Sequence, residues 1–145
     1  MIDKVKYRVL PDIKIIIEYF NGEITLNDII ENDKNIVIDK HYNLNYNSII
    51  DFRDAQLMLS QDDIINYINF VNKNSEIVGK RKVAFLTSTP DHVALLTIYD
   101  MLGESLPMAY NIFSTMKASL KWVGVSISHI DLFEKYIEDF KNSTA

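Results

Sequence analysis

Apolar residues along this chain keep two rhythms, short β-branched runs and longer stretches at helical spacing, and the two alternate. Val5 to Leu10 and Ile13 to Phe20 are β-rich runs separated by Pro11-Asp12, which predicts an amino-terminal hairpin, with Asn21-Gly22 ending its second strand. Thr25 with Asp28 reads as a helix cap, and Leu26, Ile29, Ile30, Asp33 and Val37 follow at helical spacing with one polar interruption. Ser48 to Phe52 has the length and branching of a buried strand. Ser60 with Asp63 repeats the cap, Ile64, Ile65, Ile68 and Val71 make one stripe, and Gly79 closes that helix. Val83 to Thr87 reads as a strand covered on both faces. Thr89-Pro90-Asp91 starts a helix whose buried side is Leu95, Leu96, Tyr99 and Leu102. A short strand from Tyr110 to Phe113 precedes a helix capped by Ser114, carrying Leu120 and Trp122 and stopped by Gly124. Ser128 and Asp131 then open a last helix with Phe133, Tyr136, Ile137 and Phe140 on one face.

Strands separated by helices of this length are joined by right-handed crossovers. The expected fold class is therefore α/β: a mixed, mostly parallel sheet with an amino-terminal antiparallel hairpin, flanked by helices. One domain over residues 1–145 is expected, with residues 125–145 an additional carboxyl-terminal amphipathic helix. No repeat, low-complexity tract or linker interrupts the pattern.

Composition narrows the classes of function. At 145 residues and 48% apolar content the chain suits one sizeable core. Its net charge of −5 disfavours a general grip on nucleic acid, and Lys80-Arg81-Lys82 is too short to reverse that. The absence of cysteine excludes disulfides, thiolate catalysis and cysteine-ligated zinc. No signal peptide or membrane-spanning run is read, so a cytoplasmic location is expected.

Candidate chemistry is sparse. Asp51, Arg53 and Asp54 follow the Ser48–Phe52 run, with Arg53 and Asp54 expected just beyond the strand's carboxyl end, where open α/β sheets place ligands. Arg53 there either grips an anion bidentately or joins an internal ion pair that orders the strand exit. Thr87, Ser88 and Thr89, close to Arg53 if their strands are neighbours, form either a small polar site or an ordinary turn into a capped helix. Ser60 reads first as a cap. Met101, Leu102, Met108 and Phe113 either line an apolar pocket or belong to the core. His41, His92 and His129 lack metal-ligand spacing, and the four glycines form no phosphate cradle, so neither metal nor cofactor is expected.

Four segments carry a family resemblance: Asn21-Gly22-Glu23-Ile24-Thr25 at the end of the second strand, YNSIIDFRDA from Tyr46, GKRKVAFLTSTP from Gly79, and FSTMKASLKWVG from Phe113. In this order, from Val5 to Gly124, they resemble the SpoIIAA-like proteins of bacteria, related in fold to STAS domains and CRAL-TRIO lipid-exchange proteins. The resemblance implies a STAS-like sheet and action through binding rather than chemistry. It also places at Ser60 the serine that is phosphorylated in anti-sigma-factor antagonists. The neighbours depart from that motif, being Leu59, Gln61, Asp62 and Asp63, and the two aspartates would repel a phosphate. The expectation is a non-enzymatic regulatory or scaffolding module acting through a protein partner. The alternative is a carrier or sensor of a small apolar or lipid-like ligand. A homodimer through the last helix or the amino-terminal strand edge fits either reading.

Overall fold

The computed structural model describes residues 4–74 and 79–143. Five strands, β1 (Val5–Leu10), β2 (Ile15–Ile24), β3 (Asn47–Leu57), β4 (Lys82–Leu86) and β5 (Ala109–Phe113), lie in chain order across one sheet. β1 is antiparallel to β2, with Val5 opposite Phe20, and every later neighbour pair is parallel. Helices α1 (Leu26–Val37), α2 (Gln61–Lys73) and α3 (Pro90–Leu102) make the crossovers. α4 (Met116–Val123) and α5 (Ile130–Asn142) follow the last strand. The architecture is the α/β arrangement that the periodicity predicts.

Each right-handed crossover steps in the same direction, so α1, α2 and α3 share one face of the sheet. Packing shows this directly: Phe20, Phe52, Val83 and Phe85 meet Ile64, Ile68, Leu96 and Tyr99 in one core. On the opposite face Ile17, Tyr19, Ile49 and Leu86 meet Leu120, Phe133, Ile137 and Phe140. Ile15 through Phe20 are all buried, alternate residues serving the two sides, which is why this strand reads as an unbroken run. The apolar stripe of α5 covers its own sheet.

Boundaries depart from expectation where polar residues build the ladder. β2 continues past Asn21-Gly22 to Ile24, and β3 continues past Phe52 to Leu57. Tyr19 pairs with Asp51 but Asn21 with Asp54, so β3 carries an extra residue, a bulge. Arg53 and Asp54 therefore lie inside a strand rather than beyond its end. The second strand starts at Ile15 because Pro11 to Lys14 form the turn, with Lys14 at φ 56. β4 ends at Leu86, although the Thr87 N–H still donates to Phe113 O at 2.9 Å.

Helix ends show similar corrections. α2 stops at Lys73 with Asn74 as its cap, not at Gly79. Gly79 serves close packing instead, since a Cβ there would lie 2.3 Å from the Leu44 carbonyl oxygen. Thr115 rather than Ser114 caps α4, and Gly124 ends it at φ 83 in the left-handed region. Ser128 and Asp131 do not cap α5: a 3-10 turn over Ile127–His129 precedes it, and α5 has no side-chain cap bond.

Candidate functional site

The residues expected at the carboxyl edge are occupied by internal bonds. Asp51, 1% exposed, receives the Arg53 N–H at 2.9 Å and the guanidinium at 2.9 to 3.2 Å. Arg53 also lies 3.6 Å from Glu134 of α5. Tyr19 Oη donates to Asp54 at 2.6 Å, and Lys141 Nζ is 3.5 Å from the same oxygen. The bulge explains this sharing: Phe52 and Ala55 pack on the α1–α3 side, while Arg53 and Asp54 both reach partners on the α5 side.

Ser60 and Thr89 belong to the other face, so the expected surface set is divided by the sheet. Ser60 forms a full capping box, with Asp63 N–H donating to Ser60 Oγ at 3.1 Å and Ser60 N–H donating to Asp63 Oδ2 at 2.9 Å. Thr89 Oγ1 accepts from His92 N–H at 3.4 Å. Buried Thr87 pairs through Oγ1 with His92 Nδ1 at 2.5 Å. Burial pushes the His92 pKa down, against the Ala55 backbone and the Asp91 charge, which favours the neutral imidazole. Ser88 Oγ donates to Arg53 O at 3.4 Å, placing the segment after β4 close to Arg53 as expected, though beside the interior of β3 rather than its end.

A different site emerges beneath α1, α2 and α3. There a cavity of about 90 Å³ runs between helices and sheet, its walls formed by apolar residues such as Phe20, Ile29, Phe52, Leu57, Phe85 and Leu95. Polar groups gather toward the amino ends of the parallel strands. Glu18 of β2 accepts from Asn32 Nδ2 of α1 at 2.9 Å, and Asp33 of α1 accepts from Tyr67 Oη of α2 at 2.6 Å. Tyr99 of α3 and Tyr110 of β5 share a hydrogen bond of 2.6 Å between their hydroxyls. Ser48, second residue of β3, and Arg81, just before β4, complete the lining.

Strand parity puts these groups on one wall. Ser48 opposes Val83, and Arg81, two residues before Val83, shares its side of the sheet. The Ser48 Oγ and Arg81 Nε atoms are buried without a hydrogen-bond partner among the described residues. Buried polar atoms are rarely left so. Burial pushes the Glu18 carboxyl up to about 8, aided by the Asp33 charge and opposed by Arg81 and Asn32. Burial also raises Asp33, against the pull of Tyr67 and Arg81. Tyr67 and Tyr99 are held well above the ordinary phenol range, first by burial, and Tyr110 is raised to about 12. This wall offers a protonated Glu18, hydroxyls and one guanidinium beside Asp33, a set suited to hydrogen bonding.

The apolar residues singled out in the sequence do not gather in this cavity. Met108 lines it, but Met101 and Leu102 are 71% and 42% exposed, and Phe113 packs on the opposite face against Trp122. The polar wall itself was missed. Glu18 was visible as the one charge inside Ile15–Phe20, and Asp33 as the polar break in the α1 stripe; Arg81 was hidden within a basic run.

No family model matches the chain, and no curated protein matches it. Among solved structures it is similar to an uncharacterised protein of the DUF3478 family with a SpoIIAA-like fold, from Shewanella loihica PV-4. That likeness has a TM-score of 0.56 at 13% identity and covers 82% of this chain and 91% of the other. The chain thus has a SpoIIAA-like fold. No helix among the described residues is long and apolar enough to cross a membrane.

Proposed function

We propose that the protein is a non-enzymatic, cytoplasmic binding module whose ligand is a small amphipathic molecule lodged between the sheet and α1–α3. The observation that carries this reading is that two buried polar atoms, Ser48 Oγ and Arg81 Nε, lack partners among the described residues on the wall of a largely apolar cavity. A ligand with an apolar body and a polar end would satisfy both features at once. The non-catalytic part is supported by the bonding of the titratable groups: Asp51, Arg53 and Asp54 are tied into ion pairs, and His92 is bonded to Thr87. Native mass spectrometry of freshly purified protein tests the reading. A noncovalent increment should be present in the wild type and lost in Leu96→Trp, which fills the cavity. An increment that survives that substitution would place the ligand elsewhere.

A second reading, regulation through a protein partner, draws on Met58, Ile65 and Val93, which are 47%, 40% and 42% exposed. They flank the capping residues Ser60 and Thr89 at the carboxyl edge of the sheet. Exposed apolar side chains in this region suit a docking surface. On that reading Met58→Asp and Val93→Asp abolish partner binding and leave the cavity increment unchanged.

A further inference from the structure

Of the polar atoms on the cavity wall, those lacking partners are chemically biased. Arg81 Nε can only donate, and Ser48 Oγ can donate or accept. The carboxyls nearby each accept one bond, Glu18 from Asn32 and Asp33 from Tyr67, and burial favours their neutral forms, in which each also carries an O–H donor. The complement of this wall is therefore a group rich in acceptor oxygens. A guanidinium is also the side chain best matched to a planar carboxylate.

We infer that the cavity receives a short aliphatic monocarboxylate, its oxygens accepting from Arg81 and Ser48 and its hydrocarbon lying against Phe20, Ile29, Phe52 and Leu95. This deepens the proposed ligand reading and rests on it. Size favours a short chain: a cavity of about 90 Å³ has no room for a long acyl chain as it stands.

Charge adds a second constraint. An anion at Arg81 lies near Glu18 of β2 and Asp33 of α1, and the remaining titratable groups toward it are Tyr67 of α2, Tyr99 of α3 and Tyr110 of β5, all held as neutral phenols. Asp63, at the start of α2, lines the same cavity. Binding then requires Glu18 and Asp33 to hold their protons. Affinity falls as pH rises through the neutral range, toward a limit of about tenfold per unit for each proton taken up.

The test is a set of amide chemical-shift titrations of the whole chain with butanoate, butan-1-ol and butylamine at pH 6 and pH 8. Butanoate should move the amides of Glu18, Ser48 and Tyr110, bind more tightly than the alcohol, and weaken at pH 8. Arg81→Lys, which keeps the charge but loses the planar fork, and Ser48→Ala should each weaken butanoate several-fold and leave butan-1-ol unchanged. If Arg81→Lys does not fold, Ser48→Ala alone decides. Equal binding of alcohol and acid, or tighter binding of the amine, overturns the carboxylate assignment and leaves the cavity reading standing. If none of the three moves those amides, both fall.

Discussion

Side chains that look wrong for their surroundings carry most of the functional signal in this molecule. Ser48 is 1% exposed and its hydroxyl has no partner among the described residues, an arrangement that costs about 1 kcal/mol or more while the hydroxyl stays unbonded. Ser48→Ala should therefore raise stability by about 1 kcal/mol in urea titration while weakening the ligand; a destabilised variant would show that the hydroxyl has a structural partner. Glu18 gives a pH signature with a definite sign. Its carboxyl titrates at 4.5 ordinarily and at about 8 when folded, so between these values the folded state holds a proton that the unfolded state has released. Stability attributable to this group is full below the lower value and declines as pH rises toward the upper, by up to about 1.4 kcal/mol per unit. Asp33 is shifted in the same direction. Thermal melts from pH 5 to pH 9 should show Glu18→Gln with a flatter profile than the wild type and greater relative stability on the alkaline side. Arg53 is the opposite case, a charge with a structural partner. Arg53→Met leaves Asp51 buried without its cation and should cost about 3 kcal/mol by denaturant midpoint.

Helices and strands were legible wherever local chemistry alone decides them. The capping boxes at Thr25 and Ser60 form as their Thr-x-x-Asp and Ser-x-x-Asp spacing demands. Ser60→Ala should lower stability by about 1 kcal/mol, while Ser60→Asp, which also caps, should be close to neutral. A large loss in Ser60→Asp would assign the hydroxyl more than a cap. What could not be read depended on a neighbouring strand. The extension of β3 through Arg53-Asp54-Ala55-Gln56 is polar in sequence and becomes a strand only because Asn21 to Ile24 of β2 offers it a parallel ladder. The same bulge turned Arg53 and Asp54 inward to α5, so of the two readings the sequence left open, anion grip or internal ion pair, it is the ion pairs that form. The start of α5 was misread at Ser128 because a 3-10 turn takes up that serine, with Ser126 as its cap. The face of α5 was read correctly, and Phe133→Ala, at a fully buried contact, should cost about 3 to 5 kcal/mol.

At the scale of the whole chain, topology explains where the site lies. Strands in the order 1-2-3-4-5 never reverse direction across the sheet, so there is no switch point to open a crevice at their carboxyl ends. The crossovers instead lay three helices side by side on one face, and the cavity forms beneath them, where Glu18, Asn32, Asp33, Ser48, Tyr67 and Arg81 converge from separate elements. Such a convergence is invisible in a sequence because its members stand up to 63 positions apart, from Glu18 to Arg81. The fold class was open to reading; the site required the sheet order. The central claim, that this cavity is a binding site, is tested most directly by a high-resolution crystal structure of freshly purified protein. The account predicts continuous density for an organic molecule beneath α1–α3, with oxygen atoms within hydrogen-bond distance of Ser48 Oγ and Arg81 Nε. Ordered water alone bonded to those two atoms would contradict it and make the cavity a hydrated packing defect.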